Sequence, residues 1–290
     1  MKYTLKQFRE DFPNEDTCLR YLLEKRYKQC SCGKRTFYKV RNRKCFACSC
    51  GKHIYPTAGT IFHKSSTPLT EWFYAIYLIS TSKNGVAAAE LQRHLGVSYK
   101  TAWRMMHLIR TLMKQDTDLL SGIVEADEVY IGGRRRSSNK WSAKAPVLGV
   151  VERGGKVKTK HVVEANTGTI IEFLGENVQI GSRVMTDGLA SYRKVPQMGL
   201  FHEFVEHKNK KEYVRGDVYT NTIEGFWGQL KRSLHGTYHS VSEKHLQAYL
   251  DEFSWRYSNR KSENPFSLLC ENLSEPLYLG VQRSLFAEVV

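Results

Sequence analysis

The chain has 290 residues, of which 41% are hydrophobic and 25% charged, and a formal charge of +15. These are the proportions of an ordinary soluble globular protein. The longest apolar stretch, around Trp72 to Ile79, is too short to span a bilayer, so no membrane-spanning helix is expected. The opening MKYTLKQFREDF places charges where a secretory leader has an apolar core, so a reducing, cytosolic compartment is expected. In that compartment the seven cysteines are not expected to form a disulfide framework. The charge is unevenly placed: residues 1–115 hold 21 Lys and Arg against 7 Asp and Glu, residues 116–290 hold 23 against 22. A basic module joined to a nearly neutral one reads as a polyanion-docking part attached to a working part.

In chain order, the first feature is the pentapeptide CSCGK, which occurs at 30–34 and again at 48–52 with fifteen residues between Cys32 and Cys48. Two short cysteine pairs at that separation have the form of a zinc ribbon, in which two knuckles give four thiolates to one tetrahedral ion. The symmetry of the repeat selects Cys30, Cys32, Cys48 and Cys50 as ligands. Each pair is C-x-C rather than the common C-x₂-C, and Cys45, three residues before Cys48, is the substitute the spacing offers. The basic, β-prone TFYKVRNRK between the pairs supplies strands, while Cys18 and Cys270 read as buried thiols.

After the ribbon, Thr67 as N-cap and Pro68 as first residue start a helix with Leu69, Trp72, Phe73, Ile76 and Ile79 on its apolar face. A short helix at VAAAELQRHL stops at Gly96, and Ser98 caps a third, YKTAWRMMHLIRTLMK. The third is apolar at Ala102, Met106, Ile109 and Met113 and polar at Lys100, Arg104, His107 and Lys114. A helix pair with a glycine turn and a basic second helix is a helix-turn-helix candidate, so those four residues are the candidate DNA contacts.

From Gly122 the pattern changes to strands: GIVEADEVYIGG, PVLGVVERG and KVKTKHVVEA. A helix (TIIEFLGENV), a strand ending at Asp187 (SRVMTDG), a strand at FHEFVEH and two helices (TNTIEGFWGQLKRSL and SEKHLQAYLDEFSWRYSNR) follow. This α/β order is that of a ribonuclease H-like mixed sheet flanked by helices. The basic stretch GGRRRSSNKWSAKAP is expected to be an exposed loop. The expected divisions are 1–62 (zinc ribbon region), 63–116 (helix-turn-helix), 117–265 (catalytic domain) and 266–290 (C-terminal tail).

Three acids stand where elements end or begin: Asp127 on the first, central strand, Asp187 at the end of the fourth, and Glu224 near a helix start. Carboxylates converging from separate elements suit hard divalent cations, and two such ions activate the attacking oxygen and stabilise the leaving oxygen of a phosphodiester. Glu125 shares a strand face with Asp127, which makes it a supporting group or a rival ligand. Asn221 and Lys231 share a helix face with Glu224, at three and seven residues. Gly225 and Gly228 weaken that helix, and close approach of substrate or sheet would explain them.

With PTAGTIFHKSSTPLTEWFYAIYL after the ribbon, EADEVYIGG, TDG followed by Tyr192, and NTIEGFWGQLKR leading into YLDEFSWRYSNR, the chain resembles the zinc-ribbon DDE transposases of bacterial insertion sequences. It also resembles their relatives whose third metal ligand is Asn. Such relatives often carry His two residues before the Asn, where this chain has Tyr219, and Ser258 interrupts their Tyr-Asn-x-Arg. The resemblance implies a catalytic triad of Asp127, Asp187 and Glu224, with Asn221 as the alternative third ligand and Lys231 as the basic residue beside it. It implies two Mg²⁺ (or Mn²⁺) ions, one structural Zn²⁺, and double-stranded DNA, both element ends and target, as substrate. It further implies a homo-oligomer on DNA in the bacterial cytoplasm, nucleoid-associated when bound, with no membrane partner. The expected activity is cleavage and strand transfer at terminal inverted repeats; the alternative is a non-catalytic DNA-binding regulator.

Overall fold

The structure, a computed structural model, describes residues 2–132, 144–206 and 214–274. Most of the expected basic loop, at 133–143, and the tail beyond residue 274 lie outside the described residues. The chain forms two compact units: one runs to Leu112 and resumes at Ser262, and the other spans Met113–Lys261.

The first unit opens with two helices, α1 (Leu5–Asp11) and α2 (Glu15–Arg26). Thr4 and Gln7 close a reciprocal capping box on α1, and the Asn14 side chain caps α2. Strands β1 (Phe37–Lys39), β2 (Phe46–Cys48) and β3 (His53–Ile54) form an antiparallel sheet in that order. Three helices follow: α3 (Leu69–Thr81), α4 (Ala88–Leu95) and α5 (Tyr99–Arg110). Helix α3 begins one residue later than the sequence suggests, because Pro68 occupies the cap position and makes no side-chain cap bond. The Leu69 N–H instead donates to the Glu15 carboxylate at 3.2 Å. Gly96 ends α4 at φ +65, a conformation available to glycine without strain.

The second unit is built on five strands: β4 (Ile123–Ile131), β5 (Ala145–Glu152), β6 (Val157–His161), β7 (Arg183–Thr186) and β8 (Phe201–Phe204), with α6 (Thr167–Asn177) between β6 and β7. Their order is β6-β5-β4-β7-β8, antiparallel among the first three and parallel from β4 to β8. Helices α7 (Asn221–Ser233) and α8 (Glu243–Ser258) complete it. Helix α6 packs on one face of the sheet through Ile170, Phe173 and Leu174. Helices α7 and α8 cover the other through Ile223, Phe226, Trp227, Leu230, Leu250 and Phe253. Strand β5, covered on both sides, is apolar almost throughout rather than alternating.

The segment expected as a tail begins with helix α9 (Pro265–Glu271), capped by Asn264. Its Phe266 is buried in the first unit, stacked on Tyr3 and edge-on to Phe8 and Phe12. Among the described residues no helix is long and apolar enough to cross a membrane.

Candidate metal centre and catalytic face

In the first unit each CSCGK folds into the same turn. Cys30 N–H donates to Lys34 O and Gly33 N–H to Cys30 O; Cys48 N–H donates to Lys52 O and Gly51 N–H to Cys48 O. Both turns need a left-handed residue, supplied by Gly33 at φ +82 and Gly51 at φ +86. The two knuckles bring the Sγ atoms of Cys30, Cys32, Cys48 and Cys50 within 4.8 Å of one another. Cys30 and Cys50 are 3.8 Å apart and Cys32 and Cys48 are 3.6 Å apart. A tetrahedral zinc with bonds of about 2.3 Å needs sulfur edges of about 3.8 Å, so the donor set fits that ion. The knuckle amides pull the sulfurs towards thiolates: the N–H of Cys32 holds the Cys30 thiol down to about 6, and that of Lys52 lowers Cys50. Despite the Lys34 amide, the crowding of the other sulfurs pushes Cys32 up to about 11. Cys45 is fully buried and outside the set.

The candidate DNA contacts are placed differently from one another. Lys100 is exposed at the start of α5 and Arg104 is half-buried. His107 is only 5% exposed and lies against Trp103, with ring centroids 4.0 Å apart, so it does not belong to an exposed basic face. The reason is that α5 is enclosed from Met105 to Arg110 rather than wet along one side. The helix ends at Arg110 and a 3₁₀ turn spans Thr111–Met113, so Lys114 falls beyond it.

In the second unit β4 and β7 pair in parallel with Ile123 opposite Arg183 and Glu125 opposite Met185. The same offset, carried two residues beyond the paired positions, sets Asp127, in the middle of β4, beside Asp187, the residue that follows β7. The two carboxylates interact: burial raises the Asp127 carboxyl to about 7, and the charges of Glu128 and Asp187 add to the rise. The indole N–H of Trp227 donates to Asp127 Oδ2 at 3.1 Å. On the opposite face of β4, Glu128 Oε2 accepts from the buried Tyr192 hydroxyl at 3.1 Å.

Helix α7 presents Asn221, Glu224 and Lys231 to solvent while Ile223, Phe226, Trp227 and Leu230 are buried. Glu224 Oε1 accepts from the Thr220 hydroxyl at 3.0 Å. Among the described residues, the cysteine set is the one group of three or more metal-ligating side chains whose ligand atoms all lie within 4.8 Å; the three acids are not collected that tightly. Glu125 is not available as a rival ligand. It is fully buried, and its two oxygens accept from Arg153, the Thr222 amide and hydroxyl, and the Ile223 amide.

The sheet does not approach α7 at Gly225 or Gly228: a Cβ at Gly225 would meet open space, and one at Gly228 would meet only the Arg232 side chain. The close approach is at Gly149, which pairs with Asp127 across β4 and β5. A Cβ there would overlap the Trp227 indole at Cζ2. A lone glycine inside PVLGVV is a legible sign of close contact in a strand, although nothing local names Trp227 as the partner. Gly149→Ala is expected to displace the indole from Asp127 and lower stability by about 1–3 kcal/mol, the usual cost of overpacking. An unchanged urea midpoint would contradict this contact.

Comparison with known proteins now gives the family. A profile described as ISXO2-like transposase domain matches residues 119–258, which contain the five-stranded sheet and helices α6 to α8. A Halobacterium salinarum protein described as an "uncharacterized protein in transposable element ISH50" is 30% identical over 241 residues, covering 76% of this chain and 79% of its own. A Haemophilus influenzae "uncharacterized transposase-like protein" is 28% identical over 114 residues, 39% of this chain and 90% of its own. Among solved structures, a chain from a simian T-cell lymphotropic virus intasome in complex with PP2A regulatory subunit B56 gamma aligns with a TM-score of 0.31 at 13% identity, over 61% of this chain and 64% of that one. With a relative this similar over most of both chains and a profile spanning the acidic face, the protein belongs to the ISXO2-like transposase family.

Proposed function

We propose that the protein is a DNA transposase that cuts and joins strands at the ends of its element. The observation that carries this reading is the closeness of Asp127, in the middle of β4, to Asp187, just past the parallel strand β7, with the Asp127 carboxyl raised by burial and by the neighbouring charges of Glu128 and Asp187. Like charges crowded in a half-buried site are stabilised by a cation, and hard oxygen donors fit Mg²⁺. The strand order supports a ribonuclease H-like fold for the second unit. In this reading Asp127, Asp187 and Glu224 hold the metals. Glu224 is preferred to Asn221, the other exposed residue of that turn, because a carboxylate binds a hard cation more strongly than an amide.

When bound, two Mg²⁺ ions activate the attacking oxygen and stabilise the leaving oxygen of the phosphodiester. The chain's own groups position these ligands. Trp227 orients Asp127, Thr220 orients Glu224, and Lys231, two turns along the exposed face of α7, receives a DNA phosphate. The cysteine cluster holds one structural Zn²⁺. The ribbon and the α4–α5 pair, read as a helix-turn-helix led by Lys100 and Arg104, dock the terminal repeats. Synapsis of two ends requires at least two subunits on DNA, acting in the bacterial cytoplasm.

The test is cleavage of a labelled terminal-repeat duplex with Mg²⁺ by the full chain and by Asp187→Ala. Cleavage by the wild type and none by the variant is expected. Equal signals reject the enzyme, and DNA binding without cleavage by either protein favours the regulator.

A further inference from the structure

We infer that Glu125, together with Arg153 and Tyr219, positions the third carboxylate of the site, an inference resting on the catalytic reading above. Glu125 precedes Asp127 by two residues on β4 and is 0% exposed. A carboxylate so deeply buried is costly unless its lone pairs are satisfied. Oε1 accepts from Arg153 Nε at 2.6 Å and Thr222 Oγ1 at 2.8 Å; Oε2 accepts from the amides of Thr222 at 2.8 Å and Ile223 at 3.0 Å. These amides belong to the first turn of α7, where a helix has no internal partners for its N–H groups and favours an anion. The helix's own cap residue does not serve them. Thr220 makes no cap bond, and its hydroxyl goes to Glu224.

Arg153 extends the same anchor. Its Nη1 donates to Asp217 O at 2.7 Å and its Nη2 to Tyr219 O at 2.9 Å, while its guanidinium lies 3.6 Å from the Tyr219 ring centroid. The segment from Asp217 to Ile223 is thereby tied to the strand that carries Asp127. One strand thus supplies the first acid and, two residues earlier, the anchor for the helix turn that presents Glu224. A change in the rotation or register of that turn would move Glu224 relative to Asp127 and Asp187. A merely structural ion pair would affect stability and leave the metal response of the folded protein unchanged.

The test uses full-length Glu125→Gln, which keeps the shape and loses the charge, and Tyr219→Ala, which leaves Glu125 bonded and removes the ring under Arg153. Two measurements are made: amide hydrogen exchange at Thr222 and Ile223 without metal, and Mg²⁺ titration of the Trp227 indole N–H resonance alongside strand cleavage. For Glu125→Gln, exchange at both amides should accelerate at least about tenfold. Its Mg²⁺ midpoint should rise about 10- to 100-fold, the usual effect of losing a group that orients metal ligands, with cleavage partly restored at high Mg²⁺. Tyr219→Ala should move both readouts the same way by less, and it serves if Glu125→Gln does not fold. Wild-type exchange or a wild-type Mg²⁺ midpoint in the folded variants overturns the positioning role. A wild-type indole that ignores Mg²⁺ overturns the catalytic reading and the positioning role together. That result is distinct from failure of the anchor alone, in which wild type and variant respond identically.

Discussion

Asp127→Asn is expected to make the metal-free protein more stable above pH 7 and to abolish its strand cleavage. The Asp127 carboxyl lies near 3.8 when unperturbed and at about 7 in the fold. Below the first value it is protonated in both folded and unfolded chains and contributes no difference. As pH rises from about 4 to about 7 the unfolded chain loses the proton while the folded one keeps it, so stability falls and then levels off. Three units correspond to about 4 kcal/mol, and partial solvent access reduces this to about 2. Asparagine removes the slope while keeping an oxygen for the Trp227 indole. Mg²⁺ should stabilise the wild type at pH 8 and have little effect on the variant. Loss of one metal-binding carboxylate should slow cleavage at least about a thousandfold, since the ions supply several kcal/mol to the transition state. Urea melts of both proteins from pH 4 to 8, with and without Mg²⁺, check the stability arm. A metal-free variant that is less stable at pH 8, or that has the wild-type pH slope, contradicts it.

Cys48→Ser is expected to remove the zinc and the order of residues 30–54 with it. Three short strands carry little core of their own, so metal binding contributes much of the folding free energy of such a unit, on the order of 10 kcal/mol. One zinc per chain in the wild type, almost none in Cys48→Ser, and loss of amide protection across β1 to β3 are the expected findings. Cys45→Ser supplies the contrast, because Cys45 is buried outside the four-sulfur set and its variant should keep the metal. Retention by Cys48→Ser with loss from Cys45→Ser would reassign the ligands.

Much of the architecture could be read from local pattern. The CSCGK repeat announced two identical turns, because each needs a glycine at one position and amides around a sulfur. The five strands and the helices α6 to α8 followed from the switch between period two and period 3.6, which tracks burial directly. What escaped the sequence lies in contacts between distant residues or in short elements. Helix α1 carries little signal beyond its Thr4–Gln7 cap because it is short and buries only Phe8, whereas α2, capped by Asn14 and apolar at Cys18, Leu19, Leu22 and Leu23, is legible in the sequence. The basic neighbours of His107 at helical spacing suggest an exposed residue, whereas α5 is buried from Met105 to Arg110. Glu125 looked like a rival ligand because only the tertiary fold brings the first turn of α7 against it. In the sequence Trp227 is one residue of NTIEGFWGQLKR; its bond to Asp127 needs the space left by Gly149, which is far from both in sequence.

The central claim is that Asp127, Asp187 and Glu224 meet around a pair of divalent ions. Crystals of the protein with a terminal DNA end, soaked in Mn²⁺ and measured for anomalous scattering, test it most directly. Two peaks should appear between Asp127 and Asp187, with the Glu224 carboxylate bonded to one of them. A map with no peak beside Asp127, or with Glu224 turned away from the ions and another side chain in its place, would contradict the account.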